Sequence, residues 1–157
     1  MSNPSLAVAT ATRLRVKIHT SDRVDAGTHG DVYLGIGGRE FRIESGENDF
    51  EKGSVRTYGV IKTDPGEIQI NDQSNNDPEK NYLIIIGDLD KYPVYIRFEP
   101  ENQNDHWTVQ YVSVAVFSQL FVQKAYEALQ PENDDQTFLT LGTSCGKYLY
   151  LHIHIHV

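Results

Sequence analysis

The sequence predicts an all-β protein: a two-sheet antiparallel β-sandwich with one inserted hairpin and one short helix. Two observations lead to this fold class. Apolar and polar side chains alternate over many short segments, and turn residues such as glycine, asparagine and aspartate separate these segments. The chain has 157 residues, of which 39% are hydrophobic, so it is long enough to bury a core of its own.

Four strands are predicted in the first half of the chain, after a flexible leader over residues 1–12. Each strand presents apolar side chains to one face, as a half-buried strand should. The glycines at 37–38 predict a hairpin turn between the second and third strands. In the first two strands the apolar faces are Leu14, Val16 and Ile18, and Val32, Leu34 and Ile36. Phe41 and Ile43 lie in the third strand, and Val55, Tyr58 and Val60 begin the fourth.

The middle of the chain predicts an insertion over about 64–86, in which two short apolar runs flank a polar loop and form an extra hairpin. A strand follows at 94–98. The next strand begins at Trp107, whose indole ring is expected to pack inside the domain.

A change of period marks the segment from Ser118 to Leu129. Its apolar residues recur near helical spacing, with Pro131 just beyond the end, which predicts a short amphipathic helix. The segment 147–157 is the clearest strand, with Leu149, Leu151, Ile153, Ile155 and Val157 on the core face. Residues 13–157 are therefore expected to form one domain with insertions at about 64–86 and 118–144.

Three motifs follow one another in the chain. They are Asp-Ala-Gly-Thr-His-Gly-Asp-Val-Tyr-Leu-Gly-Ile at 25–36, Gly-Glu-Asn-Asp-Phe-Glu-Lys-Gly-Ser-Val-Arg-Thr-Tyr at 46–58, and Asn-Asp-His-Trp at 104–107. In this order they resemble the PLAT/LH2 domain, the β-sandwich module of lipoxygenases, animal lipases and bacterial phospholipase C toxins. The resemblance covers roughly residues 13–117.

The resemblance implies a calcium site between the loops that carry the three motifs. Calcium takes six to eight oxygen ligands from carboxylates, amides, backbone carbonyls and water. Carried over by position, the backbone carbonyl of Gly27 and the side chains of Asn48, Asp49, Glu51 and Asp105 are the implied ligands. An alternative is that these acids are ordinary solvated loop residues with turn-forming roles.

Two positions depart from the family pattern. His29 stands where the family commonly has aspartate, and Gly30 follows where another acid is frequent. Imidazole is a poor ligand for a hard cation, so calcium binding is expected to be weak.

Acidic and imidazole side chains occur near the same motifs, and the fold would bring them to one end. The candidates for general acid/base catalysis are His29, Asp31, Glu51 and His106. The sequence has none of the common catalytic motifs, such as a Gly-x-Ser-x-Gly elbow, a phosphate loop or His-Glu-x-x-His. Whether the protein is an enzyme therefore stays open at this point.

A histidine ladder forms the outer face of the last strand. His152, His154 and His156 stand about 6.6 Å apart stepwise, given a rise of ~3.3 Å per residue. Two such imidazoles and a third group suit Zn²⁺, but a polar outer face is the favoured interpretation.

Charge and targeting features restrict the partners. The formal net charge of −8 excludes nucleic acid, because phosphate binding needs clustered lysine and arginine. The same charge, and the lack of an aromatic tip beside the implied calcium loops, disfavour membrane binding. A single cysteine, no signal-peptide pattern and no run of roughly 20 apolar residues predict a cytoplasmic protein.

Two function hypotheses remain. The first is a freestanding PLAT-like binding module that associates with a protein partner or a small lipid-like ligand, with weak calcium binding. The second is a small enzyme that uses the acid/imidazole cluster or a pocket beneath the two insertions. Fold alone does not separate them, since sites are grafted onto folds.

Overall fold

The computed structural model of the chain describes residues 9–71 and 84–154. The regular secondary structure of these residues is almost entirely β, which confirms the predicted fold class. A short 3-10 helix spans Ile86–Lys91. The strands are β1 (Arg13–Thr20), β2 (Asp31–Ile36), β3 (Arg39–Arg42), β4 (Val55–Val60), β5 (Ile68–Gln69), β6 (Val94–Glu99), β7 (His106–Ser118), β8 (Phe121–Ala128), β9 (Leu139–Gly142) and β10 (Tyr148–Ile153).

The strands follow the order β3-β2-β6-β10-β8-β7-β1-β4-β5, and β9 pairs with the free side of the first half of β7. This sheet curls over because β10 belongs to both halves. Its residues 148–151 pair with β6, and its last two residues pair with β8. The two halves form the layers of the sandwich, and their inward side chains make one continuous hydrophobic cluster.

The strand alternation predicted from the sequence is confirmed for β1, β2 and β6. Their core-facing side chains are buried, as are Phe41 and Ile43 after the hairpin turn. That turn needs its two glycines, since Gly37 and Gly38 have φ of 60° and 79°. Ile153, which was expected in the core, is instead exposed because it lies at the end of its strand. Val55, the first residue of β4, is also exposed.

The predicted insertion at 64–86 also departs from a purely antiparallel arrangement. Its first apolar run forms β5, which pairs parallel with β4, so the sheet is mixed. Ile85, in its second run, pairs with Thr10. Residues 72–83, where the sequence predicts the polar loop and the start of the second run, lie outside the described residues.

The helix predicted from Ser118 to Leu129 is wrong, because this segment is strand β8. Tyr126 and Ala128 point into the core, whereas Leu120 and Phe121 are exposed at the turn that joins β7 to β8. The apolar residues whose spacing predicted a helix are therefore of two kinds: Ala128 is buried, whereas Leu120 and Phe121 are exposed. The short helix of the described chain lies at 86–91 instead.

The end of the predicted flexible leader is held in the fold. Ala11 is fully buried, and its backbone N–H donates to the carbonyl of Ile84 at 2.8 Å. The Thr12 hydroxyl accepts a 2.8 Å hydrogen bond from the backbone N–H of Gln119. Residues 1–8 lie outside the described part of the chain.

Replacing the buried Leu151 by aspartate tests the register of β10. We expect Leu151→Asp to lose at least about 3 kcal/mol of unfolding free energy, because a carboxylate would be buried without a partner. Urea unfolding followed by the fluorescence of the buried Trp107 measures this loss. The neighbouring Tyr150 is exposed, so Tyr150→Ser is the matched control and should change stability by less than about 1 kcal/mol. Equal stability of Leu151→Asp and the parent would contradict the register.

Candidate functional site

Three loops meet at one end of the sandwich, where β2 begins, β6 ends and β7 begins. We call them the first loop (21–30), the second loop (43–54) and the third loop (100–105). Asp31 pairs with Glu99 across the β2–β6 ladder, which fixes the first loop beside the third. The loops carry the three sequence motifs, so the predicted site residues do come to the same end.

A buried aromatic cluster fixes the second loop against the strands. Trp107 is fully buried, and its ring centroid lies 5.3 Å from that of Phe50 and 5.8 Å from that of Phe98. Its indole N–H donates to the Thr20 hydroxyl at 3.0 Å. This confirms the prediction that Trp107 packs inside, and it attaches the second loop to β1, β6 and β7.

Direct backbone contact joins the first loop to the second. The Thr28 N–H donates to the Phe50 carbonyl at 3.0 Å. A Cβ at Gly27 would lie only 2.8 Å from the backbone nitrogen of Lys52, so a side chain there would push the two loops apart. Glycine at position 27 is therefore a packing requirement.

The first and third loops are joined through Thr28 and Asp105. The Thr28 hydroxyl lies 2.8 Å from both carboxylate oxygens of Asp105 and accepts a 2.9 Å hydrogen bond from the Gly30 N–H. The Glu101 N–H donates to the same carboxylate at 2.8 Å. Sequence reasoning missed Thr28, although a threonine two residues before a glycine is a recognisable turn former.

Gly30 explains one departure from the family pattern. A Cβ at this position would lie 2.7 Å from the Glu99 carbonyl oxygen and 2.9 Å from a carboxylate oxygen of Asp105. An acidic side chain has no room here, and its charge would face another carboxylate. The missing acid at position 30 is thus a consequence of how closely the loops approach.

An open depression of about 380 Å³ lies between the three loops. Four of the five implied calcium ligands line it: Gly27, Asn48, Glu51 and Asp105. Three residues of the third loop add further oxygen atoms, and Lys52 contributes an ammonium group. The additional lining residues are Thr28, His29, Lys52, Glu101, Asn102 and Asn104.

The chemistry of this wall fits a hard cation. Three carboxylates and one ammonium give the wall a formal charge of −2, and each of the other lining residues except His29 offers oxygen as a metal ligand. The carboxylates are spread around the wall, however. Within residues 9–71 and 84–154, no group of three or more histidine, cysteine, aspartate or glutamate side chains is close enough to hold a metal ion. The wall therefore suits a cation that keeps much of its water.

Asp49, the fifth implied ligand, lies apart from the depression. Its buried carboxylate accepts hydrogen bonds from the Ser45 N–H at 3.0 Å, from the Ser45 hydroxyl and from the Tyr58 hydroxyl at 3.0 Å. Burial and the adjacent Asp49 charge raise the pKa of Tyr58, so its hydroxyl stays a donor. The structure gives Asp49 the role of fixing the second loop on β4.

The catalytic candidates do not form one cluster. His29 lies on the rim between the depression and a smaller cavity that Asp31 lines, and Glu51 lines the depression. Asp31 is ion-paired with Arg42 at 2.8 Å. His106 lines neither cavity, and its Nδ1 lies 3.2 Å from the Asn104 carbonyl oxygen. Among the described residues, no hydrogen bond joins His29 or His106 to a carboxylate.

The histidines of β10 lie on a different surface. His154 Nδ1 is 2.6 Å from Glu127 Oε1, and the Tyr111 hydroxyl donates to Glu127 Oε2 at 2.9 Å. Burial would raise the pKa of Glu127, but the hydrogen bonds from His154 and Tyr111 outweigh it and hold that pKa below its ordinary value. His152 Nε2 instead lies 2.9 Å from the Gln130 amide nitrogen. The two imidazoles thus have separate partners, and His156 lies outside the described residues.

Glu127 is a carboxylate beside this ladder that the sequence analysis did not identify. Glu127 lies in the segment that the sequence predicts to be helical, so a position beside the last strand is not expected for it. The Zn²⁺ alternative gains no support, since among the described residues no three histidine, cysteine, aspartate or glutamate side chains are arranged to hold a metal ion.

Comparisons with solved structures agree with this architecture. Coral 8R-lipoxygenase, whose structure is described as showing calcium activation via a C2-like domain, matches with a TM-score of 0.52 and 19% identity over 90% of this chain and 17% of that one. The alpha-toxin from Clostridium absonum matches with a TM-score of 0.52 and 22% identity over 96% of this chain and 33% of that one. At these identities the likeness shows the fold, and the chain spans only about a sixth to a third of those proteins. A search of curated proteins found no match.

The fold and the loop end thus define a β-sandwich domain with an oxygen-rich depression at one end. The family model of the PLAT/LH2 domain matches residues 14–141, and the chain belongs to this family. PLAT domains serve association with lipids or proteins. In the described chain, no helix is both long and apolar enough to cross a bilayer.

Asp49→Ala tests the structural role of this carboxylate. We expect a loss of about 1–3 kcal/mol of unfolding free energy, because the Ser45 and Tyr58 donors would be left buried without an acceptor. Thermal and urea unfolding without calcium measure it. Glu51 is an exposed acid of the same loop, so Glu51→Ala is the control and should stay within about 0.5 kcal/mol of the parent. Similar stabilities of the two variants would contradict this role.

Gly30→Asp tests the explanation for the missing family acid. We expect the variant to be destabilised by about 1–3 kcal/mol and to bind calcium no more tightly than the parent. His29→Asp, at an exposed position, is the comparison, since its side chain has room. Tighter calcium binding by Gly30→Asp at unchanged stability would show that the close approach does not restrict this position.

Proposed function

We propose that this PLAT domain is a non-enzymatic association module whose loop end binds calcium weakly and uses it to hold an anionic group of a partner. One observation carries the proposal: four implied calcium ligands and three further oxygen-bearing residues of the third loop line the same depression. Calcium suits this wall because it accepts six to eight oxygen ligands in flexible geometry and tolerates bound water.

The surrounding contacts indicate what each residue would do. Asp105 is oriented by the Thr28 hydroxyl and by the Glu101 N–H, so its carboxylate is held at the wall before any cation binds. Glu51 and Glu101 are exposed and would complete the site by moving. Lys52 on the same wall opposes a cation. The expected dissociation constant is therefore on the order of 10⁻⁴ to 10⁻³ M, as in the weaker calcium modules.

A bound calcium ion would supply positive charge to a wall that is otherwise negative. The group it attracts would be a carboxylate or phosphate of a protein partner or of a small lipid-like ligand. The exposed, unpaired Cys145 suits a reducing compartment, and we place the module in the cytoplasm as part of this proposal.

Calorimetry tests the calcium proposal on chelator-stripped protein. We expect the parent to bind calcium with millimolar affinity, and the double variant Glu51→Gln/Glu101→Gln to bind about tenfold more weakly, because two carboxylates leave the wall. Both side chains are exposed, so the fold should not change. Asp25→Asn is the control, since this exposed acid of the first loop lies outside the depression and asparagine tolerates its φ of 59°.

Two results would overturn the proposal. One is the absence of any heat or thermal shift at millimolar calcium in the parent. The other is the same affinity in the parent and in the double variant.

The small-enzyme hypothesis has no specific contact in its favour. Its candidate acids and imidazoles are distributed over two cavities and the start of β7, without a hydrogen bond between an imidazole and a carboxylate in the described residues. General acid/base catalysis needs such groups within reach of one substrate.

A further inference from the structure

The turn between β7 and β8 exposes three consecutive apolar side chains. Leu120 is 88% exposed, Phe121 70% and Val122 50%. Hairpin turns are ordinarily made of polar residues and glycine, and exposed apolar residues that stand together mark interaction sites. We call residues 119–122 the apolar tip.

The apolar tip lies at the opposite end of the sandwich from the calcium depression. β7 begins at His106, beside the third loop, and runs for 13 residues to Ser118 at the tip. At a rise of ~3.3 Å per residue, the two ends are about 40 Å apart. The tip therefore needs no calcium and shares no residue with the loop end.

The tip is held firmly by its neighbours. The backbone N–H of Gln119 donates to the Thr12 hydroxyl at 2.8 Å, and the N–H of Thr12 donates to the Phe117 carbonyl at 2.8 Å. Gln119 has φ of 57°, which closes the turn. The apolar side chains thus project from a fixed hairpin rather than from a loose segment.

Among the described residues, most cations of the strands that lead to this end are paired with acids, and two are not. Arg13, Lys17 and Lys124 are each ion-paired with acids. Arg15 is exposed, makes no ion pair with a described residue, and stacks 5.3 Å over the Phe117 ring.

Lys62 is the second such cation. It is exposed, has no ion pair within the described residues, and lies two residues beyond Val60, which pairs with Leu14 near the start of β1. β4 ends at Val60, and Ile61 has φ of 79°, so the chain turns at this point. The backbone of Lys62 then packs against Gly59, which is the β4 partner of Arg15, so the two cations lie on the same part of the sheet.

We propose that the apolar tip docks on a lipid bilayer surface without calcium, with Leu120 and Phe121 inserted among the headgroups and Arg15 and Lys62 beside them. Three features favour a bilayer as the occupant. The tip is a two-residue hairpin turn, it carries an aromatic and two aliphatic side chains but no acid, and within the described residues Arg15 and Lys62 form no ion pair. Apolar insertion combined with attraction to anionic headgroups is how peripheral proteins bind interfaces.

This inference reverses one expectation from the sequence. The sequence disfavours membrane binding because the net charge is −8 and because no aromatic residue stands at the tips of the motif loops. Phe121 was missed because its segment was predicted to be an amphipathic helix, which would have buried the apolar side chains against the core.

Vesicle co-sedimentation in the presence of a chelator tests the proposal. We expect the parent to pellet with vesicles of phosphatidylcholine containing a minority of phosphatidylserine, and more weakly with phosphatidylcholine alone. Phe121→Ser should lower the partition coefficient at least about tenfold, because the inserted ring is lost. Lys62→Gln should lower it only on the anionic vesicles.

Val24→Ser is the matched control. Val24 is 85% exposed and lies in the first loop at the other end, so its loss should leave partition unchanged. The Phe121→Trp variant adds a direct fluorescence readout of insertion, since the native Trp107 is buried and does not contact lipid. Its added fluorescence should shift to shorter wavelength on vesicles and be quenched by shallow lipid-attached quenchers.

Several outcomes would overturn the docking proposal. They are a parent that stays in the supernatant with both vesicle types, equal partition of Phe121→Ser and the parent, or equal loss in Val24→Ser and Phe121→Ser. Sedimentation velocity without lipid gives one more test. A dimeric parent and a monomeric Phe121→Ser variant would also overturn the proposal, because the tip would then serve self-association. Failure here leaves the calcium proposal intact, since the depression variants and the tip variants change different ends of the protein.

Discussion

The packing of Trp107 is the interaction on which the loop end depends. One indole ring contacts Phe50 of the second loop and Phe98 of β6, and its N–H bonds Thr20 at the end of β1. The second loop has little regular structure, so this buried contact replaces a strand ladder as its anchor. Once it is fixed, Phe50 offers its carbonyl to Thr28, and the first loop takes its position from the second.

Close approach of the loops has a chemical consequence at the depression. Gly27 and Gly30 sit where a Cβ would meet backbone atoms below 3.0 Å, so the loops pack tightly only without side chains there. The same packing forbids an acid at position 30, next to Asp105. Tight loop packing and a high count of carboxylates therefore compete in this protein. The outcome is a well-ordered wall with fewer ligands, which is why weak binding of a largely hydrated cation is the chemistry proposed for it.

The predictions from the sequence succeeded where one face of a strand is buried and failed where apolar residues are exposed. In β1, β2 and β6 the alternation follows burial directly, so each strand and its buried face were both predictable. At the apolar tip, Leu120 and Phe121 are apolar yet exposed, and a periodicity argument that equates apolar with buried must misplace them. Whether a side chain at a turn is exposed depends on the path of the whole chain, and a local sequence pattern does not determine that path.

The candidate site shows the same limit for polar groups. A carboxylate in an acidic loop serves equally as a cation ligand or as a buried acceptor, and the choice depends on what stands opposite it. Asp49 meets Tyr58 and Ser45, whereas Asp105 meets Thr28 at the wall of the depression. Glu127 was recognised as the partner of His154 only through the β8–β10 pairing.

The arrangement at the two ends also reconciles a net charge of −8 with a bilayer contact. With the apolar tip on the membrane, the acidic loop end stands about 40 Å away, several times the screening length of roughly 8–10 Å. Its charge is then hardly felt by the anionic surface, and the calcium depression faces solvent, open to a partner.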